Sequence, residues 1–229
     1  MNIEENLSAV KARIAAAAAA CERNADEIKL IAVTKTYPID LMNEAIRLGV
    51  TDIGENKPQE VRDKFEHVLP VRWHLIGHLQ SNKVKYVIDR CSMIHSVDSI
   101  KLMDEIERLA VLRNKDIDIL IQVNISGEES KSGIEPKDLE KLLLHAEELK
   151  NTHIKGLMTI APKAELGDVS AHFKNMQKLY NEVKGRKYNN VSMEELSMGM
   201  SGDFETAIRY GATMVRVGSA IFGARKYNV

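Results

Sequence analysis

Residues 29–55 read KLIAVTKTYPIDLMNEAIRLGVTDIGE. A short β-branched run, Lys29–Thr34, is followed by an amphipathic stretch from Asp40 that ends at Gly49, and then by a second apolar run at Thr51–Gly54. Apolar runs bounded by turn residues predict buried strands, and the 3.6-residue period between them predicts a helix with a glycine stop. This is a strand–helix–strand unit, and parallel strands joined by helices form a sheet covered by those helices.

The unit recurs along the chain. Further strand-like runs lie at Val71–Gly77, Ser92–Val97, Ile117–Asn124, His153–Ile160, Met193–Met198 and Ala212–Gly218. Helical patterns lie between them at Pro58–Val68, Ser81–Arg90, Asp98–Arg113, Pro136–Leu149, Val169–Val183 and Gly202–Gly211. Several open with Asp, Ser or Pro, the residues that start helices. Eight such runs predict one closed (β/α)8 barrel of the TIM type, a single domain over residues 1–229. An open doubly wound sheet satisfies the same alternation, but the first strand–helix junction, VTKTYPID, has no GxGxxG. Residues 1–27 form an extra N-terminal helix flanking the barrel, and the alanine run Ala15–Ala20 predicts close packing on its neighbours.

Composition narrows the function. The 229 residues hold 32 Lys plus Arg against 33 Asp plus Glu, a net charge of −1. That balance supplies no field for a polyanion, and 5% aromatic content is too sparse for a base-stacking surface, so no nucleic-acid partner is expected. No apolar run approaches a membrane span, and the start, MNIEENLSAVKARIA, is acidic before it is apolar, unlike a secretory signal. Two cysteines, Cys21 and Cys91, build neither a disulfide framework nor a four-ligand zinc site. A monomeric protein of the cytoplasm is expected, with no metal.

In a barrel the chemistry gathers at the C-terminal ends of the strands. Three features stand there. Lys35 follows LIAV, and an amine held at a barrel mouth among apolar groups is a nucleophile for an aldehyde or ketone. Gly199, Ser201 and Gly202 follow strand seven, and Gly218 and Ser219 follow strand eight, where barrels commonly bind phosphate. Arg216 alternates with valines in MVRVG, sharing a face with Met214, and needs an acceptor if it points inward. That acceptor is either an inward carboxylate or the ring nitrogen of a cofactor. An amine, a phosphate cradle and a ring-nitrogen donor together match a pyridoxal 5′-phosphate site. An aldolase that uses Lys35 on a sugar phosphate is a further reading of the same lysine.

Across LIAVTKTYP, DIGENKPQE, RWHLIGHLQSNK, HSVDS, QVNISGEESKSGI, GLMTIAP, ELSMGMSGDFETAI and VRVGSAIFGAR the chain resembles the pyridoxal phosphate homeostasis proteins. The resemblance implies a barrel similar to the N-terminal domain of alanine racemase, with the cofactor bound as a Schiff base to Lys35. It implies phosphate contacts from the Ser197–Ser201 loop, including Gly199, and from Gly218 and Ser219. It places Arg216 at the pyridine nitrogen, and Asn56, His78 and Met158 along the ring. It also implies a carrier or buffer of the cofactor, supplying apo-enzymes, without catalytic turnover. The alternative is a small amino-acid racemase. That reaction needs a second acid/base, which racemases of this fold take from another domain, and the chain ends about ten residues past the last barrel turn. Tyr37 and His78 are the candidate substitutes. Lys131, in SGEESKSG, is a candidate second docking amine.

Overall fold

The structure is a computed structural model, and it describes residues 2–128, 132–162 and 168–223. Eight parallel strands close into a barrel in sequence order: β1 (Lys29–Val33), β2 (Asp52–Glu55), β3 (Arg72–Leu75), β4 (Met93–Val97), β5 (Ile117–Gln122), β6 (Thr152–Met158), β7 (Val191–Met200) and β8 (Met214–Val217). Closure is made by β1 against β8, with Ile31 level with Arg216. All eight predicted runs are strands. The register slips between β4 and β5 and at each following pair through β8.

The α-helices are α1 (Ile3–Ala19), α2 (Ile39–Arg47), α3 (Pro58–Lys64), α4 (Ile100–Leu112), α5 (Leu139–Ala146), α6 (Ser170–Lys184), α7 (Phe204–Arg209) and α8 (Ser219–Phe222). Asn2 caps α1 by accepting from the Glu5 amide, and Ser99 caps α4 by accepting from that of Leu102. Gly49 and Gly211, both at φ +90°, end α2 and α7 in the left-handed conformation. No helix among the described residues is long and apolar enough to cross a membrane.

Two local expectations change. The Ser81–Arg90 segment is 3-10 helix over Ser81–Tyr86. It brings Val84, Val87 and Ile88 to the core within a stretch too short to make a favourable α-helix. In α1 the buried stripe is Ile3, Leu7, Val10, Ile14 and Ala18, while Ala15, Ala16, Ala19 and Ala20 face solvent. The alanine run therefore serves helix propensity more than close packing.

Two cores result. The jacket between strands and helices is one continuous apolar cluster, running from Ile3 on α1 to Phe222 on α8. Inside the barrel a second cluster holds Ile31, Met93, Leu120, Met158 and Met214. The chain also buries Asp52, His74, His95, Ser197 and Arg216. The jacket holds the barrel together, and the inside carries the polar groups.

Candidate functional site

Lys35 is placed by a clamp of charges on the end of β1. Thr34 Oγ1 donates to Glu55 Oε1 at 2.8 Å. Lys64 Nζ donates to the Thr34 carbonyl at 3.3 Å, and to Glu55 and Glu60 at 2.8 Å each. The Thr36 amide donates to Glu60 at 2.8 Å. Thr36 sits at φ +67°, a conformation a β-branched residue rarely adopts, and it persists because neighbours over-determine it. Lys35 is thus held between two anchored threonines. Burial pushes the Glu55 carboxyl up, and the Lys64 ammonium opposes that rise. Burial acts the same way on Glu60, but hydrogen bonds from Lys64 and Thr36 bring it below its ordinary value.

At this end of the barrel lies a cavity of about 240 Å³, lined by Lys35, Asn56, Ser201, Gly202, Arg216, Gly218 and Ser219. Its apolar walls are Val33, Ile76, Ile160 and Met200. The cavity is just below the range usual for small-molecule sites, roughly 300 Å³ upward, and suits one compact ligand. A larger groove along α6, with Lys174, Gln177, Lys178 and Glu182, lies on an open helix surface and gathers no such set.

The two glycine-bearing turns are tied to each other. The Gly218 amide donates to Ser201 Oγ at 3.2 Å, and the Met200 amide donates to Asp203 Oδ1 at 2.5 Å. Gly199 lies at φ +91°, and a Cβ there would stand 2.6 Å from the Ala207 Cβ and 2.9 Å from Phe204 Cα, so α7 packs directly beneath it. At Gly202 a Cβ would meet nothing within 4 Å, so its backbone borders open space. These turns present serine hydroxyls and accessible backbone to the cavity.

Arg216 is 4% exposed. Its Nη1 donates to Ser197 Oγ at 2.6 Å and its Nη2 to the Thr159 carbonyl at 2.8 Å. Burial pulls the guanidinium down to about 10, with Asp203 opposing, which leaves it a cation at neutral pH. Among the described residues its partners are neutral oxygens, and no carboxylate reaches ion-pair distance.

The structure brings together Lys35, Asn56, Ser201, Arg216, Gly218 and Ser219 of the expected residues. Ser197, Gly199, His78 and Met158 are not among those lining the cavity. Ser197 is inside the barrel on β7, and Met158 is fully buried in the inner cluster. His78 is half exposed, its Nδ1 3.5 Å from Asp98. Tyr37 donates from its hydroxyl to the Gly223 carbonyl at 2.7 Å, and its ring packs on Phe222. Lys131 lies outside the described residues. Sequence reading did not single out the apolar walls. Met198 is buried, while Met200 is 39% exposed and lines the cavity. Large apolar residues at or just past a strand end, Met200 closing β7 and Ile160 following β6, were the available signal.

The family model for the N-terminal domain of alanine racemase matches residues 6–226. The pyridoxal phosphate homeostasis protein of Aquifex aeolicus is 44% identical over 230 residues, covering 99% of this chain and all of that protein. The chain belongs to this family. The structure of PipY from Synechococcus elongatus PCC7942 with PLP bound is 31% identical, with a TM-score of 0.81 over 97% of this chain and all of that one. Alanine racemase of Clostridium difficile 630, at 15% identity and a TM-score of 0.71, shares the fold over 99% of this chain and 58% of its own. The homeostasis-protein family thus has the racemase barrel, and its match here is full-length.

Proposed function

We propose that this protein holds pyridoxal phosphate in the cavity at the barrel mouth and serves as a monomeric, cytoplasmic carrier or buffer of it, without catalytic turnover. One observation carries the reading: an amine, a guanidinium, two serine hydroxyls and glycine backbone border a single small cavity. The groups fit the cofactor in kind. Lys35 suits its aldehyde, the Ser201–Gly202 and Gly218–Ser219 turns suit its phosphate, and Arg216 suits its ring nitrogen. Val33, Ile76, Ile160 and Met200 suit the ring faces, with Asn56 at the edge. Ser197 supports Arg216 and Gly199 lets α7 pack beneath its turn, while Met158 lies in the inner cluster and His78 beside Asp98.

Bound pyridoxal phosphate supplies an aldehyde that condenses with a primary amine and a ring that withdraws electrons. Arg216 only donates hydrogen bonds, so it keeps an acceptor facing it unprotonated. That makes a weaker electron sink than a carboxylate at this position would. The Tyr37 hydroxyl is committed to Gly223, which leaves it poorly placed as a second acid/base for racemisation.

Absorption spectra of the purified protein with added pyridoxal phosphate, before and after borohydride, test the site against Lys35→Ala. The expected result is a visible-edge band that borohydride removes, with mass spectrometry finding the adduct on Lys35 and none on Lys131. A preparation that stays colourless ends the reading. Transfer to an apo-enzyme and a lack of α-proton exchange in heavy water test the carrier role. Exchange at enzymatic rates that vanished in Lys35→Ala would establish the racemase instead.

A further inference from the structure

Beneath the cavity, five side chains from five strands form one hydrogen-bonded chain across the inside of the barrel. Arg216 Nη1 donates to Ser197 Oγ at 2.6 Å. Ser197 Oγ lies 3.0 Å from His95 Nδ1, and His95 Nε2 lies 2.9 Å from His74 Nδ1. His74 Nε2 lies 2.9 Å from Asp52 Oδ1. None of the five is more than 4% exposed. Asp52 is held from the far side by Arg72, which donates twice, at 2.8 and 2.7 Å. Asp52 and Arg72 line a different cavity, beside Lys11 and Lys29 at the N-terminal end of the strands. The chain therefore runs from one end of the barrel to the other.

The two ends set its direction. A guanidinium can only donate, so Ser197 accepts from Arg216. Burial works against ionising Asp52, but hydrogen bonds from Arg72, His74 and Thr51 hold it well below the ordinary carboxylate range. A carboxylate can only accept, so His74 Nε2 carries a hydrogen. With both rings neutral, one arrangement satisfies every atom. Ser197 donates its hydroxyl hydrogen to His95 Nδ1, His95 Nε2–H donates to His74 Nδ1, and His74 Nε2–H donates to Asp52. The reverse direction makes His74 an imidazolium. It also turns His95 Nδ1–H onto an oxygen that already accepts from Arg216, leaving the serine hydrogen no acceptor in the chain. Burial pushes His95 well below the usual histidine range, in accord with a neutral ring.

We propose that His95, His74 and Asp52 are positioning residues for Arg216. By drawing the Ser197 hydrogen toward His95, they keep the serine oxygen an acceptor for the guanidinium and so fix the aim of Arg216 into the cavity. Linked hydrogen bonds in a dry interior polarise one another, so the acceptor strength of Asp52 is felt at Ser197. The proposal rests on the reading that the ring nitrogen of pyridoxal phosphate sits before Arg216.

Two measurements test it. In the unliganded protein labelled with 15N-histidine, His95 and His74 should both appear as neutral Nε2–H tautomers at neutral pH, assigned through His95→Gln and His74→Gln. An Nδ1–H tautomer at His95, or a cationic His74, overturns the direction and the proposal with it. In the pyridoxal phosphate titration, His74→Leu should move the absorption maximum and weaken binding about three- to tenfold, the effect of one modest hydrogen bond. The adduct should stay on Lys35. Leu157→Val, in the jacket, should leave the maximum in place. A folded His74→Leu protein with wild-type maximum and affinity overturns the proposal. If the wild type takes up no pyridoxal phosphate, the functional reading fails, and the tautomers still decide the chain.

Discussion

Leu157 and Met158 are neighbours on β6 and both are fully buried, yet they belong to different interiors. Leu157 faces the jacket, in an apolar cluster continuous from α1 to α8. Met158 faces the inside of the barrel, where five apolar side chains share space with a buried arginine, two histidines, a serine and an aspartate. The jacket gains stability from each apolar group it removes from water. The inside gives up part of that gain, because every polar group there must be desolvated and then repaired by a hydrogen bond. The cavity sits on the second kind of interior, so a change there should alter binding more than folding, and a change in the jacket should do the reverse.

The largest effect on stability should come from the jacket beneath the site. Phe204 is fully buried at the start of α7 and packs against Gly199. Phe204→Ala should lower the unfolding free energy by about 3–5 kcal/mol, measured by urea denaturation. A loss under about 1 kcal/mol would mean that the jacket is not the stabilising interior.

The β6 pair sharpens the contrast. Leu157→Ala should cost about 2–5 kcal/mol, whereas Met158→Leu, which nearly keeps volume, should cost less than about 1.5 kcal/mol. Met158→Leu should still change the affinity for pyridoxal phosphate if Met158 supports the cavity floor. Equal affinity in Met158→Leu and wild type would remove Met158 from the site.

Acid should act on the inside of the barrel. The folded value of His95 lies well below the ordinary 6.5. Below about pH 6.5 the unfolded chain takes up a proton there that the folded protein refuses, so stability should fall as pH drops. Asp52, also depressed in the fold, should add a second loss below about pH 3.8. Glu55 runs the other way: burial raises it, so its protonation on acidification favours the fold. Urea midpoints in wild type and His95→Gln separate these contributions. The slope just below pH 6.5 should flatten in the variant, and an unchanged slope would assign it elsewhere.

The same division explains what could be read without coordinates. The jacket imposes apolar runs at regular spacing, so all eight strands were legible, as was the face shared by Arg216 and Met214. Lys35, Ser201, Gly218 and Ser219 were legible because strand ends collect the chemistry of a barrel. The hydrogen-bonded chain was not. His74, His95 and Ser197 come together across 21 and 102 positions of sequence, and a polar residue inside a strand does not announce its partner. The family resemblance places Ser197 in the phosphate loop, although the apolar run Met193–Met198 already holds it. In the structure β7 continues to Met200, with a register shift between Ser197 and Met200, and Ser197 stays inside the barrel. The clamp on Lys35 has the same long-range character, since Lys64 and Glu60 belong to α3.

Lys35→Ala should have the smallest effect on folding and the most complete effect on the cofactor. The anchors on either side of Lys35 use the Thr34 hydroxyl, the Thr34 carbonyl and the Thr36 amide, none of which the substitution removes. The strained turn at Thr36 should therefore survive, and the unfolding free energy should stay within about 0.5 kcal/mol of wild type. Arg216 and the two turns remain, so reversible binding through the phosphate should persist at reduced affinity. The band sensitive to borohydride should vanish, because no amine is held at that point. Unfolding curves and borohydride mass spectrometry on one preparation check both halves. A variant that lost several kcal/mol would show Lys35 to be part of the scaffold. A variant that kept the adduct would move the covalent site to another amine.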